Sequence, residues 1–191
     1  GFLASKSNNI QEQLDIHIDF SNIRKEALLL KGEYIKSNNQ KLKQKFLLMF
    51  NDAESILDND FTPYSIDCIS NTIINKLDVD ELINKRRENY VFLLENLNNI
   101  EEIDIIFNRI SDGVCPLFFP VYIKKDRDKF KKNLIEEKIY CPVHWPTSKQ
   151  INITNYPLSR KIYDSILSIP CDQRYTKNDM KRIINIMNNY L

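Results

Sequence analysis

The feature that most constrains the fold is a change of apolar period near residue 98. Val79, Leu82, Ile83, Tyr90, Leu93, Leu94 and Leu97 share one side of a 3.6-residue period, with Arg86, Arg87, Glu88 and Glu95 mostly off it, so a long helix is expected there. Beyond Asn98-Asn99 the apolar residues fall into short extended runs, 103–107 and 114–123, separated by a turn at Ser111-Asp112-Gly113. Asp126 is placed to cap a helix carrying Phe130, Leu134 and Ile135, and residues 138–143 read as the strand after it. A short helix over 159–165 and a strand over 166–169 come next. Thr176-Lys177-Asn178-Asp179 opens a last helix in the manner of a capping box and carries Met180, Ile183, Ile184 and Met187 inward. From Ile103 onward the expected order is β-β-α-β-α-β-α, an α+β layer.

The first part of the chain reads differently. Residues 15–20 alternate polar and apolar side chains, the pattern of a half-buried strand, and residues 27–35 around Gly32 read as a second extended arm. That order puts Lys25 in a connection or at a strand edge. From Leu42 the spacing of Phe46, Leu47, Met49, Phe50, Ala53, Ile56 and Leu57 is helical until Asp60-Phe61-Thr62-Pro63 breaks it. Ser65 or Asp67 then caps a helix with the stripe Ile66, Ile69, Ile73, Ile74, Leu77. Two domains are expected, residues 1–78 and 79–191.

Composition removes whole classes of function. Lysine and arginine total 27 against 26 acidic residues, so no long-range field draws the chain to nucleic acid or to an anionic membrane. The run at 114–123 is interrupted by Pro116 and Pro120 and is too short to span a bilayer. With no secretory signal at its start, a soluble, cytoplasmic protein is expected. The first residue is Gly1 rather than Met, which suggests a trimmed or processed beginning. The 3 glycines include no glycine-rich phosphate loop. The 4 cysteines form no Cys-x-x-Cys pair, which argues against a disulfide scaffold or a zinc ribbon. Cys141 and His144 stand three apart and invite a metal or thiol reading, but with His17 as the other histidine no four-ligand set assembles, and no metal is expected.

Four segments carry a resemblance. They are Asp15-Ile16-His17-Ile18-Asp19-Phe20-Ser21-Asn22-Ile23-Arg24-Lys25, then Lys85-Arg86-Arg87-Glu88-Asn89-Tyr90, then Ile139-Tyr140-Cys141-Pro142-Val143-His144-Trp145-Pro146, and last Ile166-Leu167-Ser168-Ile169-Pro170-Cys171-Asp172-Gln173-Arg174-Tyr175. In this order they resemble the DegT-type sugar aminotransferases, which share the pyridoxal-phosphate fold of aspartate aminotransferase, fold type I. The resemblance implies a fold class of α/β with α+β: the end of a large cofactor-binding domain followed by a small α+β C-terminal domain. It implies pyridoxal 5'-phosphate as cofactor, with Lys25 as the catalytic lysine that condenses with the cofactor aldehyde and Ser21 beside it as a cofactor-binding residue. It also implies that His144 and Trp145 face the cleft where a sugar substrate enters, and that Arg174 recognises an anionic group. The reaction implied is transfer of an amino group from an amino acid such as glutamate to a keto sugar nucleotide, by a homodimer.

Other readings stand beside these. Arg174 as a loop arginine paired with Asp172 is the simpler one, and Arg86-Arg87 reads as a solvated, salt-bridging helix face. After the Arg-Lys pair this chain has the single Gly32 where related enzymes have a Gly-Gly pair, and the family's aspartate and phosphate loop lie upstream of the lysine segment. The rival to an enzyme is a non-catalytic remnant with a structural or interaction role.

Overall fold

The computed structural model describes residues 14–144, 147–148 and 150–190. The chain forms two compact units, Gly1–Leu77 and Asp78–Leu191. The N-terminal unit is helical. Helix α1 (Ile18–Ser37) starts where His17 Nδ1 accepts the Phe20 amide at 3.2 Å, and it ends at Asn38, whose left-handed backbone (φ 54°) returns an amide hydrogen bond to Tyr34. The two strands expected over 15–20 and 27–35 are therefore one helix. Alternation over six residues is a weak signal, whereas Lys25-Glu26-Ala27-Leu28-Leu29-Leu30-Lys31 is a run of strong helix formers. Gly32 lowers helix stability by only about 1 kcal/mol, not enough to break it. What remains of extended pairing is an isolated parallel bridge between Ile16 and Ser65.

Asn39 caps helix α2 (Gln40–Asn59), which lies against α1 through Ala27, Phe46 and Ala53. Phe46 sits between Tyr34 and Phe50, with ring centroids 5.7 and 5.8 Å away. Helix α3 (Cys68–Asn75) is capped by Asp67. Among the described residues of this unit few large side chains are buried, and Leu28, Leu29, Ile35 and Leu48 are exposed.

The C-terminal unit builds the main core. Helix α4 (Val79–Leu97) is capped by Asp78 and leads to an antiparallel sheet of order β1-β2-β3, with β1 at Ile103–Ile105, β2 at Phe118–Ile123 and β3 at Ile166–Pro170. The register pairs Ile105 with Val121, and Val121 in turn with Leu167. Period-two alternation then sends Phe119, Val121, Ile123, Leu167 and Ile169 to one face, all buried. Tyr90, Leu93 and Leu97 of α4 pack there with Phe130 and Leu134 of α5 (Arg127–Glu136) and Met180, Ile183 and Met187 of α7 (Lys177–Tyr190). The capping box of α7 forms as its spacing suggests: Asp179 Oδ2 accepts the Thr176 amide at 2.7 Å, and Thr176 Oγ1 accepts the Asp179 amide at 3.3 Å.

Two prolines shape the sheet. Pro120 stands in the central strand opposite Ser168, whose own amide donates outward to Pro142 O at 3.1 Å. The pair 120/168 is thus a non-hydrogen-bonded one, and the missing N–H of Pro120 would have pointed toward β1, which ends at Ile105 opposite Val121. The strand expected over 138–143 does not form. Lys138 turns with φ 60°, and Pro142 has no N–H to continue a ladder, so these residues run as irregular chain beside β3. A 3-10 turn at Ile153–Asn155 and helix α6 (Pro157–Ser165) complete the unit.

Candidate functional site

In the N-terminal unit the residues singled out as cofactor-binding meet one carboxylate. Lys25 Nζ lies 3.8 Å from Asp67 Oδ1. Asp67 is already committed: Oδ1 accepts the amides of Ile69 and Ser70 at 3.0 and 3.2 Å, and Oδ2 accepts the Ser70 hydroxyl at 2.6 Å. The Ser70 hydroxyl, chief among these bonds, holds the Asp67 carboxyl down at about 2. Buried Ser21 is one turn before Lys25, with its hydroxyl near the same carboxylate but without a hydrogen bond of good geometry. Arg24 is turned to Glu54 at 2.9 Å and lies over the Phe50 ring. Lys25 is thus in mid-helix, not in a connection.

By themselves the described residues around Lys25 do not make up a seat for pyridoxal phosphate. The cofactor's phosphate calls for cations or unpaired N–H groups, and its ring nitrogen, at the far end of the ring from the reacting aldehyde, calls for a carboxylate. Among the described residues, the structure sets beside Lys25 a carboxylate within ion-pair range of the amine itself, which serves neither end. Asp67 ties α1 to the start of α3.

In the C-terminal unit, one end of the sheet gathers polar groups. His144 Nδ1 is 3.3 Å from Ser168 Oγ, and its ring lies 4.9 Å from that of Phe118, on the sheet face opposite the core. Trp145 falls outside the described residues. Arg174 follows β3 and makes a two-pronged pair with Asp172, Nε to Oδ1 at 2.8 Å and Nη2 to Oδ2 at 2.9 Å, while its amide also donates to Oδ1 at 3.1 Å. Burial pushes the Asp172 carboxyl up, but the Arg174 hydrogen bonds outweigh it and leave the group below the usual carboxylate range. The Arg174 side chain is 69% exposed, so its outer edge is open to an anion. Cys141, three residues before His144, is a buried thiol pushed up to about 12 by desolvation, which leaves it un-ionised and poorly nucleophilic near neutrality.

Arg86 and Arg87 on α4 do not form the salt-bridging face that their charges suggest, although Glu88 beside them is exposed and pairs with Lys85 at 3.4 Å. Arg86 donates through Nε to Gln173 Oε1 at 2.8 Å and through Nη1 to Pro116 O at 2.9 Å. Arg87 Nη1 donates to Ser111 O and Val114 O at 2.9 and 2.7 Å. Asn89, 2% exposed, donates through Nδ2 to Cys171 O, Asp172 O and Tyr175 O at 3.4, 3.1 and 3.0 Å. The Tyr90 hydroxyl donates to Phe107 O at 3.2 Å, with its ring edge-on to Phe119. One signal was available in the sequence: the apolar stripe of α4 is interrupted between Ile83 and Tyr90, and a polar residue on a buried stripe demands partners.

Two cavities adjoin this end and the outer face. A pocket of about 460 Å³, mostly apolar, is lined by Tyr90, Phe107, Arg109, Val114, Leu117 and Phe118. An open groove of about 1210 Å³ runs from Tyr122 to Leu158 and Ile162 of α6. Its charges are largely self-paired, as Lys124–Asp104 at 3.0 Å, Arg127–Asp128 at 3.1 Å and Arg160–Asp164 at 3.4 Å. Among the described residues no cluster of three or more His, Cys, Asp or Glu could hold a metal ion, and no helix is long and apolar enough to cross a membrane.

A small antiparallel sheet covered on one face by a long entry helix and a C-terminal helix makes this an α+β unit. The sequence pattern of the DegT/DnrJ/EryC1/StrS aminotransferase family matches residues 69–188, and the chain belongs to that family. Among solved structures, the fold is similar to the sugar aminotransferase CalS13 from Micromonospora echinospora (20% identity, TM-score 0.51, 60% of this chain and 32% of that one). It is similar also to Spr1654 from Streptococcus pneumoniae in its PLP-form (13% identity, TM-score 0.51, 59% of this chain and 33% of that one) and to AtS13 from Actinomadura melliaura (18%, 0.50, 59% and 31%). At such identities the likeness is one of fold. The chain spans about a third of the length of these proteins. No curated protein sequence matches it.

Proposed function

We propose that residues 78–190 act as the sugar-side small domain of a pyridoxal-phosphate-dependent aminotransferase, which passes an amino group from an amino acid such as glutamate to a keto sugar nucleotide. The observation that carries this is the coincidence of the family match, 69–188, with the unit in which His144 and Arg174 lie at one end of the sheet. In this reading the exposed edge of Arg174 takes a phosphate oxygen, and His144, backed by Phe118 and Ser168, presents its ring to the sugar. The cofactor supplies the electron sink of transamination, and the described residues around Lys25 are not its seat. Assembly as a homodimer belongs to the same proposal and is checked by sedimentation.

Calorimetric titration of the chain with UDP-glucose and dTDP-glucose tests it. The expected result is saturable binding that weakens about tenfold or more in Arg174→Ala, since a charge-assisted hydrogen bond contributes about 1.5–3 kcal/mol. Heats absent for both sugar nucleotides, or unchanged in Arg174→Ala and His144→Ala, would count against it. A second reading, a non-catalytic interaction module, is favoured by the commitment of the Lys25 partner Asp67 to helix capping and by the exposed Leu28, Leu29 and Leu48. It predicts no sugar nucleotide binding.

A further inference from the structure

We infer that residues 86–90 of α4 are a positioning device for the sugar-nucleotide site, fixing the loops 107–117 and 171–175 and, through the second loop, the Arg174 guanidinium; this rests on the reading of Arg174 given above. The side-chain donors of Arg86, Arg87, Asn89 and Tyr90 are turned to loop acceptors, nearly all of them backbone carbonyls. The first loop enters β2 at Phe118 and the second leaves β3 at Pro170, and these two residues are paired, so both loops flank the same end of the sheet. His144 packs on Phe118 at that end.

A serial link runs through the second loop. Asn89 holds the Asp172 carbonyl, and the Asp172 carboxylate holds Arg174 along the Nε–Nη2 edge of its guanidinium. Packing alone does not call for this chemistry, because Tyr90, Leu93 and Leu97 already fix α4 on the core. An amide and two guanidinium groups aimed at carbonyls add direction, which apolar contacts lack. The loops have no ladder to set their shape, and α4 sets it for them.

The test uses the full chain labelled with ¹⁵N, read by the Arg174 Nε–H resonance and by amide hydrogen exchange. In Asn89→Ala the amides of residues 173–175 are expected to exchange about tenfold faster while those of β2 and β3 stay within about twofold, and the Arg174 Nε–H signal is expected to leave its Asp172-bonded position. Asn89→Gln, which keeps the amide donors, restores most of that signal. Gln173→Ala removes the side-chain partner of Arg86 without touching the helix, gives a smaller change of the same kind, and carries the test where Asn89→Ala does not fold. The inference is overturned by an unmoved Arg174 signal in both alanine variants, or by exchange that rises equally in strands and loops. Inorganic pyrophosphate separates the two levels: a wild-type Arg174 signal that ignores it removes the substrate role of Arg174, whereas the exchange pattern alone decides the clamp.

Discussion

Replacing Asn89 by alanine removes the side-chain amide that three backbone carbonyls share. An amide nitrogen has two hydrogens, so the contacts at 3.0 and 3.1 Å are the two full bonds and the one at 3.4 Å is a weak, divided third. Each acceptor left buried without a donor costs about 1–3 kcal/mol. The Asp172 carbonyl keeps the Tyr175 amide at 3.1 Å, and the Tyr175 carbonyl is only partly buried and can recruit water, which holds the sum for the two bonds to about 1–3 kcal/mol. Against a typical domain stability of about 5–15 kcal/mol this is a large fraction. With a urea slope of about 2 kcal/mol per molar, the unfolding midpoint of the C-terminal unit, followed by circular dichroism, is expected to fall by roughly 0.5–1.5 M. Asn89→Asp keeps the shape but turns a carboxylate toward the same carbonyls, and is expected to be worse. A loss below about 0.5 kcal/mol for Asn89→Ala, the level of an ordinary surface change, would refute the reasoning.

Further outcomes follow from the same geometry. Cys68 and Cys115 are exposed and are expected to react with iodoacetamide in the native chain, while Cys141 and Cys171 react only after unfolding, as peptide mapping would report. Burial raises both inner thiols from the ordinary 9 to about 12; with the folded value above the unfolded one, their contribution is intact below pH 9 and is lost as pH climbs toward 12, giving an alkaline unfolding limb. The Asp172 carboxyl is lower in the folded chain than its ordinary 3.8, so its contribution is present above that value and is lost as pH falls below it; Asp172→Asn should flatten the acid limb of a stability profile. Gly113→Ala places a Cβ in open space but at φ +76°, so strain alone acts, and thermal melting should show a loss of about 1–2 kcal/mol.

Much of the C-terminal unit was legible because its signals are local. The stripe of α4, the caps Asp126 and Thr176, and the extended runs over 103–107, 114–123 and 166–169 each depend on neighbours in sequence; the helix and caps form, and the strands occupy the shorter 103–105 and 118–123 and the nearly coincident 166–170. The resemblance to DegT-type aminotransferases is borne out by family membership across 69–188, which takes in three of its four segments, 85–90, 139–146 and 166–175, and leaves 15–25 outside. The misreadings have separate causes. Alternation in 15–20 competed with the helix-forming run that follows, and propensity summed over a longer segment prevailed. Residues 138–143 have strand composition, but Lys138 turns with φ 60° and Pro142 cannot continue a ladder. The work of Arg86, Arg87 and Asn89 was hidden for another reason: their acceptors are carbonyls of loops distant in sequence, and every residue type offers a carbonyl.

In the proposed division of labour, sugar recognition falls to residues 78–190, while the Lys25 amine pairs with Asp67 and links α1 to the start of α3. The most direct measurement is to incubate the chain with pyridoxal phosphate, reduce with borohydride, and locate the modified lysines by mass spectrometry of peptides. The account predicts labels spread over exposed lysines, with Lys25 no more modified than the others and the pattern unchanged in Asp67→Asn. One stoichiometric adduct at Lys25, abolished in Lys25→Ala, would contradict it.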